Sequence, residues 1–149
     1  MEPHHYNVNL KWVSERKGEM NSPELINSIE VATPPQFPKG MEGIWSPEHL
    51  FTGAVLSCFM TTFLSIAESS RLDFSGFSCE AKGTLDTVDG KLQMTEVLLL
   101  PTLTISHEKD KEKAERILVK AEAACLISNS VKSKIILQSN IVLEPVIQV

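Results

Sequence analysis

Residues 46–70 read SPEHLFTGAVLSCFMTTFLSIAESS, and this stretch decides the fold. Ser46 is a natural N-cap, and Pro47 suits the first helical position, where its missing N–H costs nothing. Glu48 sets an acid at the positive end of the helix dipole. The pattern predicts a helix from there to about Ser70. The run from Phe51 to Ala67 is apolar almost all round, but Thr52, Gly53, Ser57, Thr61, Thr62 and Ser65 make it short and polar for a bilayer span. It reads as the buried helix of a soluble domain. One small domain rarely wraps such a helix completely, so burial against a second copy of the chain is expected.

Upstream, Tyr6 to Val13 alternates, with Tyr6, Val8, Leu10 and Trp12 on one side, the period of a half-buried strand. Lys17-Gly18 offers a hairpin turn, and Glu24 to Val31 suggests a further strand interrupted by Asn27 and Ser28. Pro34, Pro35, Pro38, Gly40 and Gly43 make the stretch from Ala32 to Gly43 an extended connector. Downstream, alternation returns from Phe74 through Phe77, Cys79, Ala81 and Leu85. Asp89-Gly90 marks a two-residue hairpin leading into a strand from Lys91 to Leu100. A third strand, Thr102 to Ile105, is expected after Pro101. Asp110 is placed to cap a helix with the apolar face Ala114, Ile117, Leu118, Ala121, Ala124 and Cys125, closed by Asn129 and Ser130. Lys134 to Val142 supplies a last strand through Ile135, Leu137 and Ile141. The order predicts a single α+β domain over 1–149, with antiparallel sheets around a long central helix.

Composition narrows the function. The chain has 149 residues, 42% of them hydrophobic, and a formal net charge of −5, so it lacks the basic field that nucleic acid or anionic lipid requires. Three cysteines are too few for a stapled secreted scaffold, and no charged-then-apolar leader opens the sequence. A cytosolic protein with reduced thiols is expected. No CxxC, HExxH, GxGxxG or Walker-type sequence occurs, so neither a metal nor a nucleotide cofactor is expected. The histidines His4, His5, His49 and His107 are scattered, and His49 lies about 13 Å along the helix from Cys58, which disfavours a His-Cys hydrolase.

Cys79 occupies the inward side of an alternating strand and reads as a small hydrophobe. Cys58 lies mid-helix on a stripe of small residues, Ala54, Ser57, Thr61 and Ser65, and Cys125 lies on the packing face of the second helix. Two helices pack with axes about 8–10 Å apart, which lets facing cysteines meet within disulfide range although they are 67 positions apart in sequence. From composition alone, buried helix cysteines that merely pack are the plainer reading of this pattern. A reactive Cys58 needs its thiolate stabilised, and its own helix N-terminus is about 18 Å away, so a cation is expected to do it. Arg116 faces solvent beside Glu112 and Lys120, and Arg71 closes the helix about 20 Å from Cys58, which leaves Arg16 in the first hairpin. Glu48 would anchor that guanidinium. Ten residues of helix separate Glu48 from Cys58, about 15 Å, so both reach one site only through a break near Thr52-Gly53 or from two subunits.

The stretch Ser46-Pro47-Glu48-His49-Leu50, followed after seven residues by Cys58-Phe59, resembles the signature of the OsmC/Ohr family, and Ala123-Ala124-Cys125 resembles its second cysteine. The likeness covers essentially the whole chain. It implies an intertwined homodimer with two interfacial sites and a cysteine peroxidase for organic hydroperoxides. Cys58 would be the peroxidatic thiolate, Cys125 the resolving thiol, and Glu48 the residue orienting an arginine. The reductant would be a dithiol, in parts of the family a lipoylated protein. The sequence departs from the family in the loop before Pro47-Glu48, where it offers Lys39, leaving Arg16 as the matching arginine. It also lacks the Gly-rich run of the Ohr branch, which makes it a generic OsmC-like member. The competing expectation is a non-catalytic dimeric binding module in which Cys58 and Cys125 are structural; a thiol-dependent hydrolase is a third.

Overall fold

The computed structural model describes residues 1–145, which form two compact units, the first Met1–Leu50 and the second beginning at Phe51. In the first unit, strands β1 (Asn9–Ser14), β2 (Lys17–Asn21) and β3 (Ile29–Ala32) form an antiparallel sheet in that order. The hairpin turns at Glu15-Arg16 rather than at Lys17-Gly18. Glu15 takes the left-handed conformation, φ 48°, and its carbonyl accepts the Trp12 indole N–H at 3.0 Å. Lys17 thereby enters β2 and pairs with Glu30 across to β3 at 2.9 Å. The third strand is only the last part of the expected Glu24 to Val31, because Asn27 and Ser28 stay outside the ladder. The Pro-rich connector holds no regular element. It returns at Trp45, whose carbonyl accepts the Ala32 N–H at 2.8 Å.

Helix α1 runs unbroken from Pro47 to Ser69. The expected cap is present: Ser46 is fully buried, and its Oγ accepts the His49 N–H at 3.1 Å and meets the His49 ring Nδ1 at 2.6 Å. His49 is thus engaged at the cap.

The second unit is built on one long hairpin, β4 (Phe74–Val88) and β5 (Lys91–Ile105). Its turn is Asp89-Gly90, both with positive φ, 50° and 78°, which a two-residue turn of this hand demands. Helix α2 (Lys111–Ala124) and strands β6 (Lys134–Leu137) and β7 (Asn140–Leu143) complete it. Two expectations are corrected here. Strand β5 does not stop at Pro101 but continues through it, and the single last strand is two. Both corrections have one cause. Strands β6 and β7 pair parallel to β5 at Glu96–Leu99 and Thr102–Ile105, so Pro101 falls opposite the break, where no ladder hydrogen bond needs its N–H. The sheet is therefore mixed rather than purely antiparallel.

The core of this unit is three-sided. From β5, alternate residues Val97, Leu99, Leu103 and Ile105 are buried; from α2, Ala114, Ile117, Leu118 and Ala121; from α1, the i+4 stripe Val55, Phe59, Phe63 and Ala67. Ala124, expected on the buried face of α2, is exposed because the helix ends there. By length and apolarity α1 would suit a membrane span, but its stripe packs in this core. Its other face is open: Ser57, Met60, Thr61, Leu64 and Ser65 are exposed in the single chain. Expected burial of the whole helix is thus met along one stripe only. Opposite α1, Gly83 on β4 leaves no room for a side chain, since a Cβ would strike Thr52 Oγ1 and come within 2.9 Å of Met94 Cε. Gly83→Ala is expected to cost about 1–3 kcal/mol, read as a lowered thermal midpoint; an unchanged midpoint would show that the helix yields freely.

Candidate functional site

Helix α1 places Cys58, half-buried, one turn before Thr62, whose hydroxyl lies 3.9 Å from its sulfur. Helix α2 ends at Cys125. There the backbone leaves the helix, φ −63° and ψ 113°, while the side chain stays fully buried. The chain next makes a tight turn through Ser128–Ser130. Asn129 N–H donates to the Cys125 carbonyl at 3.0 Å, and the Ser130 hydroxyl donates to the Leu126 carbonyl at 2.7 Å. The Asn129 side chain ties the turn back to the Ala123 carbonyl at 3.2 Å. A turn of this kind leaves its first N–H groups without a carbonyl of its own. They are directed at sulfur: Leu126 and Ile127 donate to Cys58, and Ser128 donates to Cys125.

The two cysteines thus come together as free thiols, and their surroundings separate them. Burial pushes the Cys58 thiol up, but the Ile127 N–H, the Cys125 S–H, the Thr62 hydroxyl and the Leu126 N–H all stabilise its thiolate, and the net shift is downward. Burial also pushes Cys125 up. The Ser128 hydroxyl and N–H oppose this, but the hydrogen bond and negative charge of Cys58 add to it, so Cys125 holds its proton. Cys79 differs from both. Burial in the β4 strand is the main cause that pushes it up to about 11, aided by the Glu80 charge, and its S–H lies 3.5 Å from the Glu80 carbonyl. A thiol so placed is not a nucleophile at neutral pH.

Within the single chain, the groups that stabilise the Cys58 thiolate are hydrogen-bond donors. Thr62, Leu126, Ile127 and Ser128 were not singled out from the sequence. Two of them act through backbone N–H groups that carry no side-chain signature, and they belong to a turn that only the early end of α2 creates. Arg16 lies at the β1–β2 turn, where its carbonyl accepts the Thr33 N–H at 3.3 Å and its side chain is exposed. With Leu10, Trp12, Lys17 and Val31 it borders a cleft of about 320 Å³. Lys39 stands in the connector with φ 64°. Glu48 occupies the first turn of α1, as expected. Because α1 is continuous, the break near Thr52-Gly53 that would shorten the path from Glu48 to Cys58 is absent.

Residues 40–140 match the model of the family described as OsmC-like protein. The uncharacterized protein YmaD of Bacillus subtilis is 25% identical over 146 residues, 93% of each chain. Among solved structures, an OsmC-like protein of unknown function from Vibrio cholerae has a TM-score of 0.83 at 23% identity, over 92% of this chain and 99% of that one. An organic hydroperoxide resistance protein from Elizabethkingia anophelis has a TM-score of 0.76 at 19% identity, over 96% and 99%. These likenesses show a shared fold, and the family match covers both the start of α1 and the turn after α2. The chain belongs to the OsmC-like protein family.

Proposed function

We propose that this protein is a cysteine peroxidase for organic hydroperoxides. The observation that carries the reading is the pair itself: a Cys58 thiol lowered from its ordinary value by hydrogen-bond donors, beside a Cys125 thiol raised from its own. Neighbouring groups driven apart in this way divide a reaction between nucleophile and proton donor. The Cys58 thiolate attacks the distal oxygen of ROOH; the S–O bond forms, the O–O bond breaks, and RO⁻ leaves and takes up a proton from water as ROH, while Cys125 keeps its own proton for the next step. Cys125 then displaces the oxygen of the Cys58 sulfenic acid as water, giving a Cys58–Cys125 disulfide. An external dithiol, such as a lipoylated protein, reduces it. Leu126, exposed beside Cys125, favours an alkyl peroxide over hydrogen peroxide.

The family resemblance adds Arg16, to stabilise the departing alkoxide, and Glu48, to hold the guanidinium. With ten residues of unbroken helix between Glu48 and Cys58, about 15 Å, that Glu48 comes from the second subunit of a homodimer. A reducing cytosol suits the cycle.

The test is stoichiometric. Reduced protein is expected to lose two thiols per added cumene hydroperoxide, with peptide mapping placing the link between Cys58 and Cys125 and leaving Cys79 free. An unchanged thiol count would leave a binding module with structural cysteines. Cys125→Ser is expected to stop after one oxidation and then advance to the sulfinic acid with excess peroxide, a gain of two oxygens on Cys58 by mass.

A further inference from the structure

The first oxidation makes no use of Ser128. Its Oγ is buried, and among the described residues it has no hydrogen-bond partner. What it faces is the sulfur of Cys125, toward which its backbone N–H also points. A buried hydroxyl with no partner is costly, and here it stands, with the N–H of its own residue, beside a thiol that the resting protein keeps protonated. The chemistry next door supplies the occasion on which those donors matter. While Cys58 is anionic, its charge and its hydrogen bond keep the proton on Cys125. Once Cys58 has accepted the peroxide oxygen, that negative charge is gone, and the Ser128 donors remain.

Resting on the peroxidase reading above, we propose that Ser128 is a positioning residue for the second step, its hydroxyl donating to the Cys125 sulfur as that sulfur attacks the Cys58 sulfenic acid. In this step the Cys125 S–H bond and the Cys58 S–O bond break, and the S–S bond forms. The thiol proton leaves with the displaced hydroxide as water. The Cys58 sulfur is reduced by one level and the Cys125 sulfur oxidised by one. No further reactant enters. Hydrogen bonds to charged groups are among the stronger ones, so loss of this donor slows the step by about tenfold or more.

The experiment compares Ser128→Thr, which keeps the hydroxyl, with the isosteric Ser128→Val, which removes it. One equivalent of cumene hydroperoxide is added to each reduced protein. Dimedone trapping reports the lifetime of the Cys58 sulfenic acid, and thiol loss reports its formation. Ser128→Val is expected to form the sulfenic acid within twofold of the unaltered rate and to keep it about tenfold longer, while Ser128→Thr restores rapid closure. Collapse of the turn would instead slow formation too, because Leu126 and Ile127 serve Cys58 from the same turn; that outcome, or equal lifetimes in the two variants, overturns the assignment of Ser128. If the unaltered protein neither forms the sulfenic acid nor loses thiols, the peroxidase reading itself fails.

Discussion

On the proposed peroxidase reading, Cys58→Ser is expected to lower organic hydroperoxide turnover by about three orders of magnitude or more, because the oxygen that replaces sulfur remains a neutral, weak nucleophile at neutral pH. The fold is expected to survive, since Cys58 is only half-buried and its hydroxyl substitute can still accept from Leu126 and Ile127. Steady-state assay with an external dithiol measures the effect; substantial residual turnover in Cys58→Ser would move the chemistry elsewhere. The same thiolate sets a pH dependence. Its value lies below that of an ordinary thiol, so alkylation of the reduced protein by iodoacetamide stays fast below the pH at which a free cysteine slows, and declines as pH falls through the lowered value. A midpoint at or above the ordinary thiol value would contradict the donor arrangement. Cys79, held near 11, is expected to react slowly throughout.

Phe63→Ala has the largest expected effect on stability. The Phe63 ring is fully buried, stacked on Phe77 with centroids 4.6 Å apart and set edge-on to Phe74 at 5.3 Å. Its removal deletes two of the three aromatic contacts between α1 and β4, sparing Phe59–Phe77, and leaves a void that neighbouring rings fill only in part. A loss of about 3–5 kcal/mol follows, roughly 10 °C in thermal midpoint for a chain of this size. Denaturant titration followed by circular dichroism measures it. A loss below about 1 kcal/mol would mean that Phe59, Phe74 and Phe77 repack around the space.

What was legible in the sequence was local. The Ser46-Pro47-Glu48 cap, the Asp89-Gly90 turn and the Ala114, Ile117, Leu118, Ala121 face each depend on neighbours within one turn of chain, and each stands where the pattern put it. The hairpin turn at Glu15-Arg16 was missed because a non-glycine residue took the left-handed position that Gly18 advertised. Pro101 inside a strand was missed because its tolerance depends on a break in strands more than thirty residues later. At the candidate site, the cysteines were visible as residue types, and two packing faces allowed their meeting without requiring it. What holds the Cys58 charge was not visible. A guanidinium is a side chain that can be searched for, whereas two backbone N–H groups are present at nearly every position and gain significance only when a helix stops in the right place.

Strand β5 accepts β4 on one edge and both β6 and β7 on the other, and those last two come from residues 134–143. During synthesis, therefore, the hairpin and α1 emerge from the ribosome with one sheet edge still uncovered, and the far edge is zipped only after α2 and the Cys125 turn have been made. The two sulfurs can meet only once Cys125 has been made, after α1 and both arms of the hairpin have already left the ribosome.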